Sequence, residues 1–321
     1  MRRRTFIAGL PIGLASGALS ARAQTSRPRI LWLSTEAQPD PFVEGFREGL
    51  RNHGYVDGQN VEIDLQYAPG NPGALQAAVG SLIRTRPDLV VSSGPAIRAS
   101  RLLKDVPVLF AISGDPVELG IAQSLSRPGG NFTGSTFMSR DIAGKRVELF
   151  KELVPEIRRL AVLSNTDHPG ERSEWRATEE VSQALGITSL YVPFTGAGDI
   201  DRGLMAVRDA RSDAMLVFPE GVTLVNRAKI AGFAMALGLP SMFGWREYCD
   251  AGGLMSYGAN QRATHARLAD YASRVLRGAI PADLPIEQAS KFELVINGRT
   301  AKSIGFPVSP TLLARADEVI E

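Results

Sequence analysis

Residues 30–54 read ILWLSTEAQPDPFVEGFREGLRNHG, and this stretch decides the fold. Ile30-Leu31-Trp32-Leu33 is an unbroken apolar run, the composition of a strand covered on both faces. Asp40-Pro41 then has the chemistry of a helix start: a carboxylate to accept free N–H groups and a proline whose fixed φ suits the first turn. Phe42, Phe46 and Leu50 recur at four-residue spacing before Gly54, so one face of that helix is apolar. A buried strand followed by an amphipathic helix is the repeating unit of α/β proteins.

The same alternation continues outward. Val61, Ile63 and Leu65 alternate as in a strand, and Leu75, Val79, Leu82 and Ile83 mark a helix stopped near Pro87. Leu89 to Val91 and Val106 to Phe110 are further strands, with Ile97 to Leu103 helical between them. The pattern restarts with a helix over Ile142–Leu153 ending at Pro155 and a buried strand at Leu160–Leu163. Helix at 176–185, strand at 190–192, helix at 200–207, strand at 215–218, helix at 225–237 and strand at 241–243 complete the second round. Two rounds of βαβ alternation joined near residues 134–140 predict two doubly wound lobes with parallel sheets.

The N-terminus is of another kind. Arg2, Arg3 and Arg4 run into a short apolar stretch broken by Pro11, then Ala21-Arg22-Ala23, the three parts of a secretory leader. The apolar part is too short for a bilayer of roughly 30 Å. Arg3-Arg4-Thr5-Phe6-Ile7 fits the twin-arginine export pattern. Cleavage is expected after Ala23, leaving Gln24 first in a periplasmic protein. The chain of 321 residues is formally +2, and its first 23 residues hold four arginines and no acid, so the mature part is −2. Nothing in that charge argues for nucleic acid. Cys249 is the single cysteine, which excludes an intrachain disulfide, a Cys-based metal site and a lipid-anchored cysteine after the leader.

In open α/β sheets a ligand sits beyond the carboxyl ends of the strands, beside helix N-termini. The strand ends here are polar or rich in Gly and Pro: Ser34-Thr35-Glu36, Ser92-Ser93-Gly94-Pro95, Ser113-Gly114-Asp115-Pro116, Ser164-Asn165-Thr166-Asp167, Phe218-Pro219-Glu220-Gly221 and Gly244-Trp245-Arg246-Glu247. Hydroxyls beside exposed N–H groups suit a small anionic group such as a carboxylate; the same residues also serve as ordinary N-caps. Catalytic readings have little to rest on. His53, His168 and His265 lie far apart, and solvent-exposed or capping roles are expected for all three. No G-x-S-x-G, H-E-x-x-H or Walker loop occurs, and Cys249 reads as buried filler. No enzyme activity, cofactor or metal site is expected.

Four motifs in order then become specific. Arg127-Pro128-Gly129-Gly130-Asn131-Phe132-Thr133-Gly134 comes first. Arg246-Glu247-Tyr248 with Gly252-Gly253-Leu254-Met255-Ser256-Tyr257-Gly258 follows, then Pro281-Ala282-Asp283-Leu284-Pro285-Ile286-Glu287, then Lys291-Phe292-Glu293-Leu294-Val295-Ile296-Asn297. With them the chain resembles substrate-binding components of ABC transporters, in the family of tryptophan/tyrosine-type binding proteins. The resemblance implies a type I periplasmic-binding-protein fold with a hinge of three crossings. Lobe 1 would take residues 27–136 and 261–278, and lobe 2 residues 137–260 and 279–321. It also implies ligand-facing positions at Ser34, Thr35, Ser93, Ser113 and Asp115 in lobe 1, and Thr166, Phe218, Glu220, Trp245 and Tyr257 in lobe 2. Relatives that bind amino acids often carry Asp near the turn that reads Phe218-Pro219-Glu220 here; Glu220 meets a ligand ammonium, or the ligand has none. The partners implied are a small-molecule ligand and an inner-membrane permease, with the binding protein a monomer. A periplasmic sensor serving a signalling receptor, and an exported enzyme using Asp115 and Glu220, are the competing classes.

Overall fold

The computed structural model describes residues 27–321 apart from 36, 37, 39, 70, 138, 169 and 290. The expected leader at residues 1–23 lies outside them, as does Glu36 of the first strand-end turn. One sheet contains β1 (Arg29–Ser34), β2 (Glu62–Tyr67), β3 (Leu89–Ser93), β4 (Val108–Ile112), β5 (Phe132–Thr136) and the late β11 (Glu287–Gln288). Its order is β11-β5-β4-β3-β1-β2 and every pair is parallel. The other contains β6 (Arg159–Asn165), β7 (Thr188–Phe194), β8 (Ala214–Val217), β9 (Ser241–Phe243), β10 (Met255–Ala259), β12 (Phe292–Asn297) and β13 (Glu318–Ile320). Its order is β13-β12-β10-β9-β8-β6-β7, parallel except where β10 meets β12.

The two sheets share a core order, β2-β1-β3-β4-β5 in one and β7-β6-β8-β9-β10 in the other. In each, the direction of winding reverses once, between β1 and β3 and between β6 and β8. Such reversals leave a crevice at the carboxyl edge, because the flanking connections depart to opposite faces. The continuous apolar runs of β1, β3, β4, β6 and β8 are buried throughout or nearly so, as sheets covered by helices on both sides require.

Helix Pro41–Asn52 begins at Asp40, whose Oδ1 accepts the N–H groups of Phe42 and Val43 while Oδ2 accepts Trp32 Nε1–H at 3.1 Å. Its apolar face, Phe42, Phe46 and Leu50, is buried. Another face carries Gly45 and Gly49, four residues apart, and meets helix Gln261–Leu276. A Cβ at Gly45 would lie 2.5 Å from Arg262 O, and one at Gly49 would lie 2.3 Å from Ala266 O and 2.7 Å from Ala269 Cβ. The two backbones therefore approach more closely than any side chain allows. That approach clamps a helix following the second round of βαβ units onto the first sheet.

The chain passes between sheets three times, after β5, after β10 and after β11. The last passage corrects the boundary at 279: residues 281–288 run along the first sheet. Leu125 O accepts Ile286 N–H at 2.7 Å, Leu284 O accepts the Thr133 hydroxyl at 2.7 Å, and β11 pairs with β5. The buried apolar side chains of Leu284 and Ile286 hold that segment there.

Because the Gly49 site is walled by backbone, Gly49→Val should lower the unfolding free energy by about 2–3 kcal/mol. Gly232, in helix Arg227–Ala236, has open space where its Cβ would stand. Gly232→Ala should be neutral or mildly stabilising. Urea unfolding of the two variants checks the contrast.

Candidate functional site

The carboxyl edges of the two sheets face each other, and contacts among the described residues cross between them. Ser113, just past β4, lies 3.1 Å from Nε2 of His168, just past β6. Arg98 donates to Asp167 O at 2.8 Å, with its other terminal nitrogen 3.7 Å from Asp167 Oδ1. Phe42 meets Trp245 edge to face, ring centroids 5.9 Å apart. A single buried apolar cluster includes Trp32 and Phe42 from one side and Phe194, Val222 and Trp245 from the other.

Between these contacts lies a cavity of ≈ 20 Å³, the space of about one water. Ser93, Ser113, Glu220 and Trp245 line it, together with Phe42, His168, Gln261 and His265. The lobes thus stand closed against each other. Thr166 lies further out, where its hydroxyl pairs with that of Thr195 at 2.9 Å. The other residues expected here are placed elsewhere for clear reasons. Ser34 donates to Asp40 inside the first lobe. Thr35 is buried, its hydroxyl without a partner among the described residues. Asp115 accepts Val117 N–H at 2.7 Å and so caps its own turn. Phe218 is wholly buried in the apolar core of the second lobe, and Tyr257 packs against Phe292 with ring centroids 6.1 Å apart.

Glu220 is an N-cap. Its two oxygens accept Thr223 N–H at 2.7 Å and Val222 N–H at 2.9 Å, and Asn165 Nδ2–H reaches it at 3.1 Å. Burial raises its pKa, and those donors only partly oppose the shift. Asn165 ends β6, so this pair sits over the β6/β8 reversal.

Two histidines expected at the surface are buried here instead. His265 stacks on Phe42 at 4.9 Å, with the planes 2° apart. Burial drives its pKa down to about 4, so it is neutral. Nδ1 lies 2.8 Å from Gln261 O, an acceptor, so the proton is on Nδ1; Nε2 therefore accepts the Ser93 hydroxyl at 2.8 Å. Ser93 ends β3, so this pair covers the β1/β3 reversal of the first sheet. Gln261 Nε2 is buried with no acceptor among the described residues.

For His168, burial pushes the pKa down, but the Glu174 charge and hydrogen bond, with Glu220 and Glu171 beyond, outweigh it and raise the value. Its Nε2–H is shared between Glu174 Oε1 at 2.8 Å and Ser113 Oγ. Arg146, fully buried, stands behind: Nε donates to Tyr257 O at 2.8 Å and the guanidinium lies 3.7 Å from Glu174. Burial lowers its pKa in spite of Glu174. Periodicity reads Arg146 as a polar position on a helix, and nothing local in the sequence announces its burial.

Comparison with known proteins now bears on this arrangement. The family model described as ABC transporter substrate binding protein matches residues 33–320. The chain belongs to that family. This substrate-binding protein is 24% identical over 268 residues to a tyrosine-binding protein of Clostridioides difficile, covering 83% of this chain and 76% of the relative. Among solved structures, an ABC domain in complex with L-Trp from Streptococcus pneumonia matches with TM-score 0.83 and 25% identity, over 92% of this chain and 100% of that one. A ligand-free, open substrate-binding protein with adhesive properties from Clostridium difficile matches with TM-score 0.64 and 21% identity, over 91% and 99%. Family and fold are those of binding proteins, not enzymes.

The neutral His265 makes the substrate-binding protein sensitive to acid. Its folded pKa of about 4 lies below the ordinary 6.5, so the unfolded chain binds more protons between them. Stability should fall as pH drops through that window, by up to roughly 3 kcal/mol. His168 has the opposite sign: its contribution is full below 6.5 and is lost as pH rises through its raised value. Urea unfolding from pH 7 to 4 should show the acid loss, and His265→Asn should flatten it.

Proposed function

We propose that this protein is the solute-binding component of an ABC importer, exported to the periplasm as a monomer and delivering its solute to an inner-membrane permease. The observation that carries the reading is that one cavity is built over both winding reversals at once. Ser93 and His265 stand over the first reversal, and Asn165 and Glu220 over the second, so a guest there touches both lobes. Contacts to both lobes are what make a ligand favour the closed state. The better superposition on the Trp-bound relative than on the open, ligand-free one supports reading this conformation as closed. No helix among the described residues is long and apolar enough to cross a membrane.

The solute is a small organic molecule with an apolar or aromatic body. Phe42, Phe137 and Trp245 supply flat apolar walls, and Gln261 Nε2 is a buried donor that a carboxylate or carbonyl would satisfy. Glu220 already takes three hydrogen bonds, so an ammonium group would have to share it. In the closed state the inner cavity is too small for such a solute, so binding requires the lobes to part and close again around it.

Calorimetric titration with L-tyrosine, L-tryptophan, aliphatic amino acids and aromatic acids tests this. One solute class should bind, and Trp245→Ala should weaken it roughly tenfold or more. No binding across the panel, and no small molecule released on denaturing the natively purified protein, would overturn the proposal.

A further inference from the structure

A second space between the lobes is larger than the inner cavity. This chamber of ≈ 260 Å³ lies on the outer side of that cavity, with His168 in the wall of both. Arg98 and Arg101 enter it from the first lobe, and Thr166, Glu171 and Arg172 from the second, over a floor that includes Ile121. The charges do not balance. Arg98 is engaged by Asp167 across the lobe boundary. His168 is engaged by Glu174. Glu171 accepts the Tyr191 hydroxyl at 2.5 Å and faces the Ser164 hydroxyl at 3.5 Å. Among the described residues, neither the Arg101 nor the Arg172 guanidinium has a hydrogen bond or an ion pair, although Arg172 lies beside Glu171 in the chain. Three guanidiniums thus face two carboxylates, and one positive charge is left over.

Arg101 and Arg172 belong to opposite lobes, so closing the cleft brings two unpaired guanidiniums to one shared space. Neither guanidinium finds a carboxylate partner across the closed cleft, so their mutual repulsion remains, screened by the solvent that both side chains still face. An oxyanion between them reverses the sign of that effect, since a guanidinium offers a fork of donors matched to carboxylate or phosphate geometry.

Resting on the transport reading, we propose that the outer chamber is an oxyanion site that bridges the lobes through Arg101 and Arg172. The ion is carried by the solute as a carboxylate or taken from solution, and its charge drives closure. If the solute carries it, the carboxylate lies at the cleft mouth and the apolar body points inward toward Phe42 and Trp245.

The probes are benzoate, 3-phenylpropionate, the amides of both, and sodium phosphate alone, followed by calorimetry and thermal shift on the full mature chain. The acids should bind about tenfold or more tightly than the amides. The preference should shrink to within about threefold in the Arg101→Gln/Arg172→Gln double variant, and should weaken as ionic strength rises. Both side chains are exposed, so the double variant should fold, which circular dichroism checks. Stabilisation by phosphate alone, lost in the double variant, supports the site with a free anion as its occupant. Equal binding of acids and amides by the wild type overturns the oxyanion site while leaving the transport reading intact. So does an acid preference that survives in the double variant. No response to any probe, with amino acids also silent, overturns both.

Discussion

The close approach of helix Gln261–Leu276 to helix Pro41–Asn52 is the constraint on which the rest depends. Gly45 and Gly49 leave no side chain between the two backbones, so a segment that follows the strands of the second lobe is fastened to the first. This forces the chain across the hinge and puts Gln261 and His265 into the cleft beside Ser93. A looser pairing of these helices would move His265 off Phe42 and leave the Ser93 hydroxyl without its acceptor. The cleft wall of the first lobe is therefore set by packing on a distant helix face.

The cleft combines apolar walls with buried polar groups that are mostly, but not wholly, satisfied. Glu220 and Asn165 satisfy each other, as do Ser93 and His265. Gln261 Nε2, His168 Nδ1 and Arg146 Nη1 have no hydrogen-bond partner among the described residues, although Arg146 Nη1 lies 3.7 Å from Glu174. Buried donors without acceptors are costly, and two of these residues, Gln261 and His168, line the inner cavity, where a guest would meet them. Across the lobes, polar contacts at the rim, Arg98 with Asp167 and Ser113 with His168, surround an apolar contact of Phe42 with Trp245.

Much of the architecture was legible because parallel strands buried on both faces must be apolar along their length. β1, β3, β4, β6, β8 and β9 announce themselves in this way. β5 does not. It reads FTGST, and Gly134 at φ +148° lies so near Phe110 that a Cβ would stand 2.1 Å from the carbonyl oxygen. Its signal is a backbone need, which apolar periodicity misses. The short β11 and edge β13 escape for a related reason: their pairing depends on tertiary packing of Ile286 and on β12. The site was only half legible. Strand-end serines and Glu220 carry the polar signature of a carboxyl edge, and several line the cavity. His168 and His265, expected in solvent-exposed or capping roles, owe their positions to long-range packing, and so do Gln261 and Arg146, which no local pattern marks.

The central claim is that two wound lobes exchange between open and closed arrangements, with a solute choosing the closed one. The most direct measurement is the distance between spin labels on Lys104→Cys and Glu180→Cys, exposed positions on opposite lobes, Cys249 being buried and left unlabelled. Solute-free protein should show two distance populations, with the tight-binding solute collapsing them onto one. A single distribution that no bound solute alters would contradict the account.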